Sequence, residues 1–157
     1  MDDRVVHAMR MSGTTGCVLC GRLTYPVADG AHWTIALNLN QNLLGKVMIV
    51  ANRHVEQVTE LDPNEWASLH AEVQRVERAL DRIFAPDLYN FAFLMNMDRH
   101  VHMHVVPRYR DSREWHGESW TDPHFGSLYG AEQRHPPEPW MRDLVEELRG
   151  SLTPAGS

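Results

Sequence analysis

The residues best placed to do chemistry are His100, His102 and His104, which alternate with apolar neighbours in the run His100-Val-His-Met-His-Val-Val-Pro107. Alternation is the mark of a half-buried strand, whose successive side chains point to opposite faces. One face would carry three imidazoles, and the other would carry Val101, Met103 and Val105. The chain has ten histidines in 157 residues. A spaced triplet then arises by chance with a probability of roughly 0.04, and with apolar residues required at the four positions between and after the histidines roughly 0.001. The pattern is therefore read as built. Three imidazoles can hold a catalytic metal. Side chains at i and i+2 on a straight strand are, however, about 6.6 Å apart at the backbone, so convergence on one ion is strained. The other chemistry is nucleophilic. A neutral imidazole can attack phosphorus while its neighbours hold the phosphate.

A second candidate is the pair Cys17 and Cys20, spaced Cys-x-x-Cys. A redox pair would call for a thioredoxin-like βαβ context, and the surrounding sequence shows none. A zinc site would need two more ligands from elsewhere in the chain.

The elements that must position these residues can be read in outline. A chain of 157 residues fits one domain, with 43% hydrophobic and 23% charged residues. The formal net charge of −6 argues against nucleic-acid or acidic-membrane binding, which needs a basic face. No run of 18 apolar residues predicts a membrane span, and Met1–Ser12 lacks the apolar core of a signal peptide, so a cytoplasmic location is expected. Residues 1–15 are expected to be a flexible N-terminus, 16–150 a single domain and 151–157 a tail. Tyr25–Gly30 reads as a turn-rich connection. Trp33–Leu39 and Lys46–Ala51 read as a hairpin about the Asn40-Gln-Asn42 turn. Asp62, Pro63 and Glu65 form the start signal of a long helix, with Trp66, Leu69, Val73, Val76, Leu80 and Ile83 as its apolar stripe. Pro86 stops it. Tyr89–Met95 reads as a third strand, and a final helix is expected over Trp140–Arg149. The fold class is α+β with an antiparallel sheet.

The order His-φ-His-φ-His-φ-φ, where φ is apolar, resembles the motif of the histidine triad (HIT) superfamily, and residues 100–106 fit every position. The stretch Gly45-Lys-Val-Met-Ile-Val-Ala-Asn-Arg-His54-Val is similar to the family's strand and Arg-His turn, so the resemblance spans roughly residues 17–110. It points to a bacterial branch like the dinucleoside polyphosphate hydrolases, with a HIT-like antiparallel sheet, one long helix and a C-terminal helix. It implies a nucleotide hydrolase or nucleotidyl transferase in which His102 attacks the α-phosphorus, forming a nucleotidyl-histidine. It also implies that His104 hydrogen-bonds the phosphate or leaving group and that His100 orients the site. Asn38 and Asn96 fall where members place polar groups beside the nucleoside and phosphate. Ile35, Leu37 and Leu43 are the apolar candidates for a base pocket. Many members carry a Gly-Gln-Ser/Thr loop before the triad. Here only Met97-Asp98-Arg99 lies between Asn96 and His100, so Arg99 or Arg108 is expected to replace the lost phosphate contact. Some bacterial members bind zinc in a way that would use Cys17, Cys20, His54 and His100. A homodimer is also implied, with Trp115 and Trp120 suited either to its contact or to packing within the chain. The alternative from another class is a non-catalytic nucleotide sensor on the same fold.

Overall fold

The computed structural model describes residues 16–152; the expected flexible N-terminus and residues 153–157 lie outside the described residues. After a short 3-10 turn at Val18–Cys20 come β1 (Pro26–Asp29), β2 (Trp33–Leu37) and β3 (Val47–Ala51). The helix α1 (Pro63–Phe84) leads to β4 (Leu88–Ala92) and β5 (His102–Arg108). A small hairpin, β6 (Arg113–Trp115) and β7 (Glu118–Trp120), and the helix α2 (Glu138–Leu152) complete the chain. Five strands form one sheet in the order β1-β2-β3-β5-β4, antiparallel at each pairing. The helix α1 carries the chain past β3 to the far edge, and β5 returns into the gap. The histidine strand is therefore internal, paired on both sides.

The β2–β3 hairpin forms as expected, with Trp33 opposite Ala51 and Leu37 opposite Val47. Tyr25–Gly30 is not merely a connection, since Pro26–Asp29 pairs with β2. Proline is tolerated there because it opens an edge strand and no ladder bond needs its missing N–H. The triad strand starts at His102 rather than His100. Val101 leaves the ladder, donating to the Val55 carbonyl at 2.7 Å and accepting from the Ala51 N–H at 3.0 Å. The last helix is longer than expected, and Leu152 is buried in it rather than lying in a tail.

Register assigns the faces. Trp33, Ile35, Leu37, Val47, Ile49, Met103 and Val105 join Leu69, Val76, Leu80 and Phe84 of α1 and Trp140, Leu144 and Leu148 of α2 in one core. Full burial of each such side chain contributes about 1.5–3 kcal/mol. Ala36, Val50 and Met48 face the other way, where Leu19 and Leu23 form a smaller cluster with Cys17. His102 and His104 lie on that second face, opposite Val50 and Met48.

The start of α1 follows its sequence signal. Asp62 accepts from the Asn64 and Glu65 N–H groups at 2.9 Å, and Glu65 accepts from the Asp62 N–H at 2.8 Å. The stripe is displaced from the expected one, because Trp66 is exposed while Ala79 and Phe84 are buried. The helix ends with Ala85 in a left-handed conformation, followed by Pro86. Asp62→Ala is expected to lower stability by about 1 kcal/mol. Urea unfolding followed by circular dichroism checks this, and an unchanged midpoint would show that the cap carries no weight.

Candidate active site

The site is assembled from the second face of the sheet, the turn Asn38–Lys46 and the knuckle Cys17–Cys20. His100 is wholly buried. Its Nε2 lies 2.7 Å from the Ala51 carbonyl. A carbonyl only accepts, so Nε2 carries the proton and Nδ1 presents a lone pair. That Nδ1 lies 3.4 Å from the sulfur of Cys17, 3.4 Å from that of Cys20 and 3.2 Å from His54 Nδ1. One atom from each of Cys17, Cys20, His54 and His100 lies within 4.8 Å of all the others, an arrangement that can hold a metal ion. His54 is placed by its neighbour, since Arg53 donates to Glu65 at 3.0 and 2.8 Å. Glu65 is buried, and the hydrogen bond from Arg53 outweighs its burial to hold its carboxyl below the usual range. The cap of α1 thus also fixes the Arg-His turn.

The two remaining histidines have opposite tautomers, set by their partners. His102 Nδ1 lies 2.7 Å from the carbonyl of His100 and must donate to it, leaving its Nε2 as the lone pair. Asn38 resolves His104. Its Oδ1 accepts from the Asn40 N–H at 2.9 Å, so its amide nitrogen is the group 3.1 Å from His104 Nδ1. The amide donates there, and His104 carries its proton on Nε2. The rings of His102 and His104 meet edge to face at 4.9 Å. Burial, then the neighbouring His102 and Lys46, pushes the His104 pKa down to about 4. Side by side stand an imidazole with a free lone pair and a neutral imidazole with an N–H to donate.

Comparison with known proteins places the chain in a family and matches its fold to solved structures. The HIT domain family model matches residues 27–111, more than half of the chain. The chain belongs to the HIT domain family. A curated relative, the bis(5'-nucleosyl)-tetraphosphatase (asymmetrical) of Schizosaccharomyces pombe, is 29% identical over 77 residues. That match covers 46% of this chain and 42% of the relative, so the chain aligns with less than half of that protein's length. A zinc-bound histidine triad family protein from Mycobacterium smegmatis superposes with a TM-score of 0.66 at 20% identity, covering 89% of this chain and 95% of that one. A histidine triad protein from Bradyrhizobium japonicum gives 0.62 at 22% identity, covering 81% and 89%. These likenesses show the HIT fold.

Against that HIT frame, Asn38 stands beside the triad and Asn96 lies exposed in the loop before it. Arg108 is a correction. It is buried, and all five guanidinium N–H groups are used, on Asp122 at 2.6 and 3.1 Å, Asn90 at 2.7 Å and the carbonyls of Ser127 and His124 at 2.8 and 2.7 Å. None remains for a phosphate. Arg99 is exposed and pairs with Glu56 at 3.3 Å. Ile35 and Leu37 are also corrected, since both lie in the helix-side core, across the sheet from His102 and His104. Trp120 packs within the chain, its Nε1 donating to the Gln41 carbonyl at 2.7 Å and its ring stacking on Trp140 at 5.0 Å. Trp115 meets Trp140 edge to face at 4.9 Å. Lys46 was not singled out from the sequence as a site residue, yet it is buried near His104.

The His104 pKa yields a pH prediction. The unfolded chain binds a proton on this ring below about pH 6.5, and the folded chain does so only near 4. Protonation therefore favours the unfolded state, and this contribution to stability is lost as pH falls through that window. NMR of ring-labelled protein should show that the ring signals lost in His104→Gln are those of a neutral imidazole at pH 5.5 and become charged only near pH 4. A ring assigned to His104 that titrates near 6.5 would contradict the buried, neutral state.

Proposed function

We propose that this protein cleaves or transfers at the α-phosphate of a nucleotide derivative through a covalent nucleotidyl-histidine on His102. The observation that carries this reading is the pair of opposite tautomers. The Nε2 lone pair of His102 bonds to the α-phosphorus, and the bond from phosphorus to the leaving group breaks with its electron pair. The imidazolium so formed keeps its Nδ1–H on the His100 carbonyl at 2.7 Å, which offsets the new charge. Water or another acceptor then bonds to phosphorus, the P–N bond breaks and the pair returns to Nε2 of His102. The protons of the water end on the leaving group and in solvent. His104 acts as a hydrogen-bond donor through Nε2–H, toward a phosphate oxygen or the leaving group. Its pKa of about 4 makes it a poor proton source at neutral pH. The relative named as a tetraphosphatase supports a nucleoside polyphosphate among the substrates.

Zinc fits the Cys17, Cys20, His54 and His100 cluster. Two thiolates and two imidazoles in tetrahedral coordination would stand about 3.3–3.8 Å apart. Four of the six pairs here lie 3.1–3.4 Å apart, and all six lie within 4.8 Å. Bound zinc would supply a cross-link between the knuckle, the Arg-His turn and the start of β5. A homodimer is part of the same reading. The edge strand β4 exposes Leu88 and Phe91, and the loop after it exposes Leu94 and Met97, an apolar margin suited to a second copy.

The test of the nucleophile is turnover of an adenosine phosphoramidate, a diadenosine polyphosphate and a simple nucleotide ester. His102→Ala should reduce kcat on the order of 10³-fold or more with nucleotide affinity nearly kept. Equal turnover in both proteins would remove His102 from the role. Binding without turnover in wild type would favour the sensor reading. For the metal, elemental analysis should find one zinc per chain, released by a thiol-modifying mercurial and accompanied by a lower Tm. Metal-free protein whose Tm ignores added zinc would refute the cross-link.

A further inference from the structure

Lys46 is the only lysine in the chain, against fourteen arginines. It is also 6% exposed, although lysine is among the residues least often buried. Its Nζ donates to Asn42 Oδ1 at 2.8 Å and lies 6.0 Å from the centre of the Tyr129 ring. Among the described residues no carboxylate lies within ion-pair distance of it. Arg108, the other buried cation, is by contrast paired with Asp122. A buried charge without a counter-ion is costly, and chains keep one where something else supplies the partner.

The backbone aims this side chain. Val47 faces the helix-side core opposite Val105, so Lys46 falls on the same face as Met48 and His104, beside Asn38. Gly45, at φ +84°, makes the turn that allows this. A side chain there would come within 2.9 Å of Leu80 and 3.2 Å of Phe84. Gln41 seals the turn, its Nε2 donating to the carbonyls of Asn38 and Lys46 at 2.7 and 2.8 Å. Burial pushes the lysine pKa down to about 8, which leaves it mostly charged at neutral pH, and its charge helps keep His104 neutral. Asn42, the partner of Lys46, also lines a cleft of about 320 Å³ with Leu43, Thr121, Asp122, Glu132 and Arg134, in which Asp122 is paired with Arg108 and Glu132 with His124. That volume is at the small end for a ligand pocket, in the range of a nucleoside.

We propose that Lys46 and the cleft behind Asn42 form a leaving-group subsite, in which the ammonium pairs with the phosphate next after the α-phosphate and the cleft takes the group that this phosphate carries. The inference rests on the His102 reading. It makes leaving groups that are themselves phosphorylated, such as a nucleoside polyphosphate, the preferred class over neutral amines.

The experiment compares a diadenosine polyphosphate with an adenosine phosphoramidate, which share the nucleoside and the attacked phosphate. Lys46→Met should lower kcat/KM for the polyphosphate by about 10- to 100-fold, the weight of one charge-assisted contact, and leave the phosphoramidate within about threefold. Lys46→Arg should restore part of the loss, and Thr121→Trp, which fills the cleft, should raise KM for the polyphosphate alone. Equal losses on both substrates at an unchanged Tm would overturn the subsite and make Lys46 a support for His104. No loss on either would also overturn it. If wild type turns over neither substrate, the His102 reading fails and calorimetry decides the subsite. Lys46→Met must then weaken adenosine triphosphate more than adenosine monophosphate, and equal weakening would refute it.

Discussion

The arrangement depends on one buried residue, His100, and on the three directions in which it is held. Its Nε2 donates to Ala51 at the end of β3, its Nδ1 faces Cys17, Cys20 and His54, and its carbonyl accepts from His102. The first bond fixes the tautomer, the second places the ring in a cluster that can hold a metal ion, and the third orients His102, the proposed nucleophile. Losing any one of them loosens the other two. A metal at the cluster would therefore be felt at His102 through a single residue, without contacting substrate. The same geometry explains why the ladder begins at His102. A straight strand through position 100 would leave that ring in register with His102 and His104, and the ring could not also turn to the knuckle.

The second constraint is the turn from Asn38 to Lys46, which is held largely by side chains bonding to its own backbone. Gln41 bridges its two ends, Asn40 and Asn42 close it internally, and Gly45 lets it pass against α1. The segment 119–134 then binds over it. Trp120 donates to the Gln41 carbonyl, Asn40 and Asn42 donate to the carbonyls of Glu132 and Gly130, and the Arg134 N–H donates to Asn40. Arg108 anchors the same segment through Asp122, His124 and Ser127. A buried ion pair with every donor used fixes one arrangement more than it adds stability. Here it sets where the chain runs after β5, and so what lies over the turn from Asn38 to Lys46.

Several of these features were legible in the sequence. The α1 cap uses local bonds between residues two and three apart, so the string Asp-Pro-Asn-Glu states it fully. The alternation of His102, Met103, His104 and Val105 likewise states which residues face the core. The cluster at Cys17, Cys20, His54 and His100 joins positions up to 83 apart, and only the family resemblance brought them together. The misreadings follow from long-range partners that no local pattern encodes. Arg108 follows the triad and looks available, but its acceptors lie 14 to 19 residues away, in β4 and in the irregular chain after β7. Ile35 and Leu37 look like pocket residues by composition, but strand parity opposes them to Ala36 and Asn38 and places them in the helix-side core. The single lysine carries no local signal, because burial is what gives it its meaning.

Charge decides how an anion can bind here at all. The chain carries a formal −6, and the arginines nearest the triad are already neutralised, Arg108 by Asp122 and Arg99 by Glu56. The α-phosphate would thus meet the Nε2–H of His104 and the Asn38 amide as donors, beside the His102 lone pair, rather than a cluster of guanidinium groups. Such donors recognise the shape and lone pairs of a phosphate and add little net attraction at a distance. They also leave the phosphorus open to a neutral nucleophile, since no tight ion pair must break as charge shifts to the leaving group. In a site built this way, discrimination among nucleotide derivatives falls to whatever charge stands beyond the attacked phosphate. The only buried cation on that face without a carboxylate, among the described residues, is Lys46.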